Sequence, residues 1–128
     1  MYAERLTLEV EAARLGWTVV KPPRVRGTSG VEHSFSFLAT SGNIRYAFDV
    51  YDQVTEVEVL KSYSRKFDTG AIVNLVSSRG TISPEAQSLA KEYGMKILRP
   101  DEVAPFFRSA LISNNAEQSE AKSALLSA

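Results

Sequence analysis

The chain has 128 residues, of which 44% are hydrophobic and 23% charged, and fifteen Lys and Arg balance fifteen Asp and Glu. This length and apolar content predict one folded domain around one core. Without cysteine the chain has no disulfide, thiolate zinc site, iron–sulfur cluster or cysteine nucleophile, and its single histidine argues against a histidine zinc site.

The charge balance and hydropathy also limit the partners. Because the net charge is zero, any binding to nucleic acid has to use a local basic patch. No apolar run approaches the roughly 20 residues that span a bilayer, and the N-terminal segment carries too many glutamates for a signal peptide. We therefore expect a cytoplasmic protein without membrane contact.

The chain begins with a predicted amphipathic helix from Tyr2 to Leu15, which Gly16 ends. The apolar residues at helical spacing, taken as its buried face, are Leu6, Val10 and Ala13. Trp17 to Val20 is a buried turn or a brief strand. Lys21 to Gly30 has two prolines and two glycines, which predict a loop.

A β-hairpin follows this loop. Val31 to Thr40 and Ile44 to Tyr51 alternate between apolar and polar residues, as half-buried strands do. Ser41, Gly42 and Asn43 form the turn, so the two strands are predicted to be antiparallel. On this parity His33 lies on the apolar face, where we interpret it as a hydrogen-bonded, partly buried histidine rather than a general base.

Helices and short strands alternate in the second half. Thr55 to Phe67 is predicted as a helix, although Val57 and Val59 also fit a strand; its apolar stripe comprises Val54, Val57, Leu60, Ser64 and Phe67. Ala71 to Val76 is a buried strand, and a loop covers Ser77 to Gly80.

The last elements have clear boundary signals. Ser83 is a helix N-cap with Pro84 at the first helical position, and Gly94 closes that helix. A short strand covers Met95 to Leu98, and a last helix begins at Pro100.

This order of elements predicts an α/β domain. Strands that alternate with helices favour parallel neighbours joined by right-handed crossovers, and the early hairpin makes the sheet mixed. We therefore expect a three-layer α/β/α domain over residues 1–112, with a central mixed sheet of four or five strands. Residues 113–128 are small and polar and are predicted to be a flexible tail with one short helix near Ala121 to Leu126.

Three stretches, with this element order, resemble a known superfamily. They are Gly30 to Ala39 (GVEHSFSFLA), Tyr46 to Tyr51 (YAFDVY) and Ile82 to Leu98 (ISPEAQSLAKEYGMKIL). They are similar to the PD-(D/E)XK nucleases, in particular the Mrr-type and Holliday-junction-resolvase-like branch. The resemblance implies a restriction-endonuclease-like fold and a role in DNA processing. It covers roughly Glu4 to Phe107, but the motifs are short.

The resemblance also indicates where the chemistry would lie. In the family two carboxylates hold magnesium against the scissile phosphate, and a lysine orients the attacking water. Carried over, the first acidic position falls on Ser36, the second on Asp49 and the lysine position on Tyr51. A serine does not replace the charge of a carboxylate at a magnesium site, and a phenol with a pKa near 10 is uncharged at neutral pH. We therefore expect a degenerate site with no cofactor, in which Asp49 is a relic ligand or an ordinary strand carboxylate.

A migrated active site is the alternative. Asp49 with Glu32 or Glu58, and Lys61 in place of the lost lysine, would make a magnesium-dependent endonuclease. The simpler interpretation of Glu58 and Lys61 is an ordinary pair on an exposed helix face.

The leading hypothesis is a catalytically inactive module that binds nucleic acid or a protein of the transcription or DNA-processing machinery. A homodimer of this module is compatible with the sequence. The candidate phosphate-contacting residues are basic; they are Lys21, Arg24, Arg26, Arg45, Lys61, Arg65 and Lys66. An equally simple interpretation of these residues is a solvated charged surface.

Overall fold

The computed structural model describes the backbone of residues 2–112 and side chains from Leu8 onward. The helices are α1 (Tyr2–Arg14), α2 (Glu56–Thr69), α3 (Pro84–Glu92) and α4 (100–112). The strands are β1 (Thr18–Val19), β2 (Arg24–Arg26), β3 (Glu32–Ser34), β4 (Phe37–Ser41), β5 (Ile44–Val54), β6 (Ile72–Ile82) and β7 (Ile97–Leu98). The predicted tail, 113–128, lies outside these residues.

A five-stranded mixed sheet forms the centre of the fold, in the order β1-β4-β5-β6-β7. β4 and β5 pair antiparallel through the predicted hairpin, whereas β5–β6 and β6–β7 are parallel. The parallel pairs follow from α2 and α3, since each helix connects two neighbouring strands. The predicted three-layer α/β/α class with a mixed sheet is confirmed.

Buried side chains show which helices cover each face of the sheet. On one face, residues of α1 and α4 contact Tyr46 and Phe48 of β5, with Phe107 of α4 at the centre of the aromatic cluster. On the other face, Val59 of α2 and the alanines of α3 contact Leu75 of β6. Alternate β5 residues therefore face different helices.

The predicted buried faces of two helices are wrong. In α1 the core contains Leu8 and Ala12, whereas Val10 is exposed. In α2 the apolar residues of the predicted stripe, Val57, Leu60 and Phe67, are exposed, Phe67 to 80%, whereas Val54 is buried as the last residue of β5. The buried face of α2 is instead Val59, Ser62 and Thr69. The Ser62 hydroxyl donates to Asp49 on the sheet, and the Thr69 hydroxyl donates to the Arg65 carbonyl oxygen of the same helix.

The predicted strand from Val31 to Thr40 is two strands, interrupted at Phe35 and Ser36. The first of them, β3, leaves the main sheet and pairs with β2 as a separate two-stranded ribbon. β2 lies within the predicted loop from Lys21 to Gly30, so that prediction is wrong over 24–26. The ribbon is anchored because Val25 and Phe35 pack into a core cluster with Leu38.

The predicted loop from Ser77 to Gly80 is part of β6. Register with β5 shifts here, from Tyr51 opposite Ser77 to Gln53 opposite Thr81. The Ser77 hydroxyl donates to the carbonyl oxygens of Asp52 and Thr81, which closes the resulting bulge. Gly80 has φ +76, a conformation that costs glycine little. The serines and the glycine of Ser77 to Gly80 thus belong to a β-bulge within β6 rather than to a loop.

The start of α3 is as predicted. Ser83 caps the helix by accepting a hydrogen bond from the Ala86 amide at 3.1 Å, and Pro84 follows it. Ala86 and Ala90 of α3 are buried against the sheet. Within residues 2–112, no helix is long and apolar enough to cross a membrane.

Candidate functional site

Asp49 lies in the middle of β5 on the face that α2 covers, and its side chain is 3% exposed. Two residues of α2 contact its carboxylate. Arg65 Nη1 donates to Oδ1 at 2.9 Å, forming an ion pair, and the Ser62 hydroxyl donates to Oδ2 at 2.6 Å. Both carboxylate oxygens therefore have a donor from the same helix.

Tyr51 joins the same network two residues further along β5. Its hydroxyl lies 3.0 Å from Ser62 Oγ, and Arg65 Nη2 donates to it at 3.2 Å. Asp49 and Tyr51 point to the same face because side chains alternate along a strand. Arg65 also donates to the carbonyl oxygen of Ser34, which connects the network to the ribbon. We call Asp49, Tyr51, Ser62 and Arg65 the Asp49 network.

The start of α2 orients Ser62 and Arg65 toward β5. Thr55 is the N-cap, with a capping box in which Glu58 accepts from the Thr55 amide at 2.8 Å. The helix therefore begins at a defined residue. Ser62 and Arg65, three residues apart, then lie on one helix face above the strand.

Burial dominates the electrostatics of the network. The pKa of Asp49 is raised above its ordinary value because its charged form is desolvated, and the hydrogen bond from Ser62 and the charge of Arg65 oppose this only partly. Burial also raises the pKa of Tyr51, so its hydroxyl is neutral at physiological pH. The network thus contains one anion, one cation and two neutral hydroxyls.

This donor set is a poor fit for magnesium, which prefers carboxylate and water oxygens. Asp49 is the only carboxylate in the network, and a guanidinium already occupies one of its oxygens. Ser36, onto which the resemblance carries the first acidic position, accepts from the Val50 amide at 3.1 Å. Among the side chains that the structure describes, from Leu8 to Ile112, no three His, Asp or Glu groups gather closely enough to hold a metal ion.

The residues of the alternative site are placed apart. Glu58 belongs to the capping box at Thr55, Lys61 is exposed, and Glu32 is exposed on β3. The structure shows no contact of any of the three with Asp49. The cation that does reach Asp49 is Arg65, one helical turn beyond Lys61, because the buried face of α2 differs from the predicted one.

A second carboxylate anchors the ribbon to the end of α2. Asp68 accepts hydrogen bonds from the Ser29 amide at 2.9 Å, from its hydroxyl at 2.6 Å and from the Thr28 hydroxyl at 3.0 Å. His33 Nε2 lies 2.6 Å from the same carboxylate. These contacts, first that of the Ser29 hydroxyl, hold the pKa of Asp68 far below its usual range.

Asp68 explains the environment of His33 and the choice of glycine nearby. His33 is partly buried and hydrogen-bonded, as predicted, and its acidic partner, Asp68, lies 35 residues away in the chain, beyond the reach of any local pattern. A Cβ atom at residue 27 would lie 1.9 Å from Asp68 Oδ2, so Gly27 lets the ribbon turn approach the carboxylate. The Ser29 hydroxyl donates to Asp68 and not to His33, so this cluster lacks the order of a Ser-His-Asp triad.

The structure divides the predicted basic surface. Four of its members pair with groups outside the ribbon: Lys21 with Glu9, Arg45 with the Thr69 carbonyl, Lys66 with the Tyr93 carbonyl, and Arg65 with Asp49. Arg24 and Arg26 are exposed on the outer face of the ribbon, and Arg26 Nε also donates to the Gly30 carbonyl. The exposed face of the ribbon is therefore accessible to a partner.

A groove of about 440 Å³ lies between α2 and α3. Three glutamates line it, namely Glu56, Glu85 and Glu92. Acidic side chains repel phosphate, so this groove does not suit nucleic acid.

Ser62, Arg65 and Asp68 were missed as partners of the site. Arg65 was predicted as a surface cation and Ser62 was given no role. The available signal was the polar i,i+3 spacing of Ser62 and Arg65 on the helix after the Asp49 strand. The apolar stripe ending at Phe67 obscures this signal, because helical periodicity alone does not show which face of α2 meets the sheet.

No family model and no curated protein matches this chain. Two solved structures are similar. The crystal structure of AF1548, a protein of unknown function, has a TM-score of 0.59 and 18% identity over 77% of this chain and 56% of its own. The structure of a complex of EndoMS with double-stranded DNA has a TM-score of 0.48 and 15% identity; the match covers 77% of this chain and 43% of the EndoMS chain.

The chain spans about half the length of these two structures. The likeness to AF1548 shows a shared fold, and with the sheet topology it supports the predicted fold class. The assignment to the Mrr-type or Holliday-junction-resolvase-like branch stays a prediction.

Proposed function

We propose that this chain is a nucleic-acid-binding module on a nuclease-like fold that does not cleave its ligand with metal ions. The observation that supports this best is the ion pair between the buried Asp49 and Arg65. In the resembled nucleases the acid at this position binds a metal ion. Here the positive charge beside Asp49 is the guanidinium of Arg65, which belongs to the chain itself.

The Asp49 network supports the lack of cleavage energetically. A divalent cation at Asp49 has to displace Arg65 and meets strong repulsion from its charge. Its remaining neighbours in the network are two hydroxyls, which are weak ligands for a hard cation. Tyr51 and Ser36 also leave the chain without the lysine and the second acid of the family motif.

The ribbon supports nucleic acid as the ligand. Arg24 and Arg26 project from the same exposed face of β2, as alternate residues of a strand do. Phosphate contacts by such residues supply most of the sequence-independent affinity for nucleic acids. The anchor at Asp68 and the hydrogen bond from Arg65 to the Ser34 carbonyl oxygen fix the ribbon beside the partly exposed Arg65.

Cleavage is tested with linear, branched and single-stranded DNA in the presence of magnesium or manganese. We expect no cleavage and no saturable heat of magnesium binding in calorimetry. Asp49→Asn is the matched control, because it keeps the shape of the side chain. Metal-dependent cleavage that disappears in Asp49→Asn would establish the migrated active site instead.

Binding is tested by fluorescence anisotropy over a salt series. We expect log K to fall linearly with log salt concentration, and Arg24→Glu to weaken binding irrespective of sequence. Arg79→Glu is the control, because Arg79 is also an exposed arginine on a strand but lies near the carboxyl end of β6, outside the ribbon. Equal effects of the two reversals would contradict a ribbon interface, and no binding at low salt would favour a protein partner.

A further inference from the structure

The guanidinium of Arg65 has more donors than the protein uses. Such a group carries five N–H donors. Nη1 donates to Asp49 Oδ1 and, at 3.4 Å, to the Ser34 carbonyl oxygen, while Nη2 donates to the Tyr51 hydroxyl. The Nε–H and the second Nη2–H have no acceptor within the part of the chain that the structure describes.

The arrangement of the acceptors determines which edge of Arg65 stays unpaired. Asp49 and Tyr51 lie two residues apart on one face of β5, so together they take the end of the guanidinium that carries Nη1 and Nη2. The Nε–H and the neighbouring Nη2–H form the lateral edge. Two parallel N–H groups of this kind match two oxygens of a phosphate. Because the side chain is 24% exposed, this edge is within reach of a ligand.

We infer that the lateral edge of Arg65 binds a phosphodiester group of the nucleic-acid backbone. This inference rests on the proposed function and names the contact through which the Asp49 network takes part in it. Asp49 and Tyr51 act as positioning residues, since they hold the guanidinium in one orientation and leave its lateral edge toward the ligand.

The ribbon extends this contact into a track for the backbone. Ser34, whose carbonyl accepts from Arg65, is the register partner of Arg24 on β2. Paired residues of antiparallel strands lie about 5 Å apart between their Cα atoms. Arg24 is exposed on the outer face of the ribbon, so Arg65 and Arg24 can contact nearby phosphates of one strand.

Asp49 limits the strength of this contact as well as orienting it. The ion pair has no net charge, so the wild-type contact relies on directed hydrogen bonds rather than on the full charge of Arg65. Replacing Asp49 by Asn keeps the shape and releases that charge. The variant is therefore expected to bind nucleic acid more tightly than the wild type.

The decisive comparison is between Asp49→Asn and the double variant Asp49→Asn/Arg65→Gln. These proteins differ only at residue 65, and neither contains a buried carboxylate without a partner. With labelled duplex and single-stranded oligonucleotides, we expect the double variant to bind about tenfold more weakly than Asp49→Asn and its log–log salt slope to be smaller by about one. Arg79→Gln is the control for the loss of one arginine, and circular dichroism verifies the fold of each variant.

A direct readout is the Nε–Hε signal of Arg65 in NMR spectra of the isotope-labelled protein. We expect it to shift on addition of DNA, and more weakly on addition of inorganic phosphate alone. A shift with phosphate but none with DNA would overturn the nucleic-acid assignment in favour of a small phosphate ligand.

The outcomes distinguish this inference from the proposed function. If the wild type binds nucleic acid but the two variants bind with equal affinity, the Arg65 contact is wrong and the proposed function stands. If the wild type binds no nucleic acid even at low salt, both are wrong.

Discussion

Replacing Arg65 by Gln should destabilise the protein substantially. The substitution leaves the Asp49 carboxylate buried without its counter-ion. Loss of one partner of a buried ion pair costs about 3–5 kcal/mol, and we expect about 2–3 kcal/mol here because Arg65 is partly exposed and Ser62 still donates to Asp49. For a domain of this size that corresponds to a decrease in Tm of about 10 °C.

The pH dependence of this loss identifies its cause. Asp49 already has a raised pKa in the folded protein, and removal of the Arg65 charge raises it further. A carboxyl group with a raised folded pKa weakens stability above that pKa, and the penalty disappears as the pH falls below the unfolded value. The difference in Tm between the wild type and Arg65→Gln should therefore shrink as the pH is lowered from 7 toward 4.

Thermal unfolding followed by circular dichroism measures these effects, with Asp49→Asn/Arg65→Gln as the matched control. Two neutral amides leave no buried charge, so the double variant should recover most of the lost Tm. If the Tm of Arg65→Gln lies within about 2 °C of the wild-type Tm, which corresponds to about 0.5 kcal/mol, the reasoning is refuted. So would a double variant no more stable than Arg65→Gln.

Three further predictions concern the ribbon and α3. Asp68→Asn should release Ser29 and His33 and so speed amide hydrogen exchange in the ribbon. The pKa of Asp68 is lowered in the folded protein, so its contribution to stability is lost at low pH. The wild-type ribbon should therefore lose the same protection against exchange as the pH falls below the ordinary pKa of an aspartate. Gly27→Ala should lower Tm, because its Cβ would overlap Asp68, and overpacking of this kind costs about 1–3 kcal/mol; an unchanged Tm would contradict that close approach. Ser83→Ala should cost about 1 kcal/mol in denaturant unfolding through loss of the N-cap, with Ser88→Ala on the exposed surface of α3 as the control.

Local signals were sufficient for much of the fold. The cap at Ser83, the turn at Gly42 and Asn43 and the alternation of strands with helices are properties of short segments, and the structure confirms them. The bulge at Ser77 to Gly80 was mistaken for a loop, since serine and glycine favour both. What distinguishes the two is a hydrogen bond to a neighbouring strand, which is not encoded within the segment.

For the candidate site, the position of Asp49 on a strand could be predicted from the residue pattern, and so could the neutral side chains of Ser36 and Tyr51 beside it. The pairing of Asp49 with Arg65 rather than with Lys61 could not be predicted from the residue types. Helical periodicity indicates that a face is apolar, but it does not establish which face meets the sheet. In α2 the need to satisfy a buried carboxylate determined the orientation, and the apolar stripe stayed outside.

The amino-acid order thus established the kinds of elements, their succession and the absence of a complete nuclease motif, because these depend on contacts a few residues apart. The Asp49–Arg65 pair and the anchoring of the ribbon by Asp68 join residues 16 and 39 positions apart. Such contacts depend on how β5, α2 and the ribbon are stacked, so they exist only once the layers are assembled.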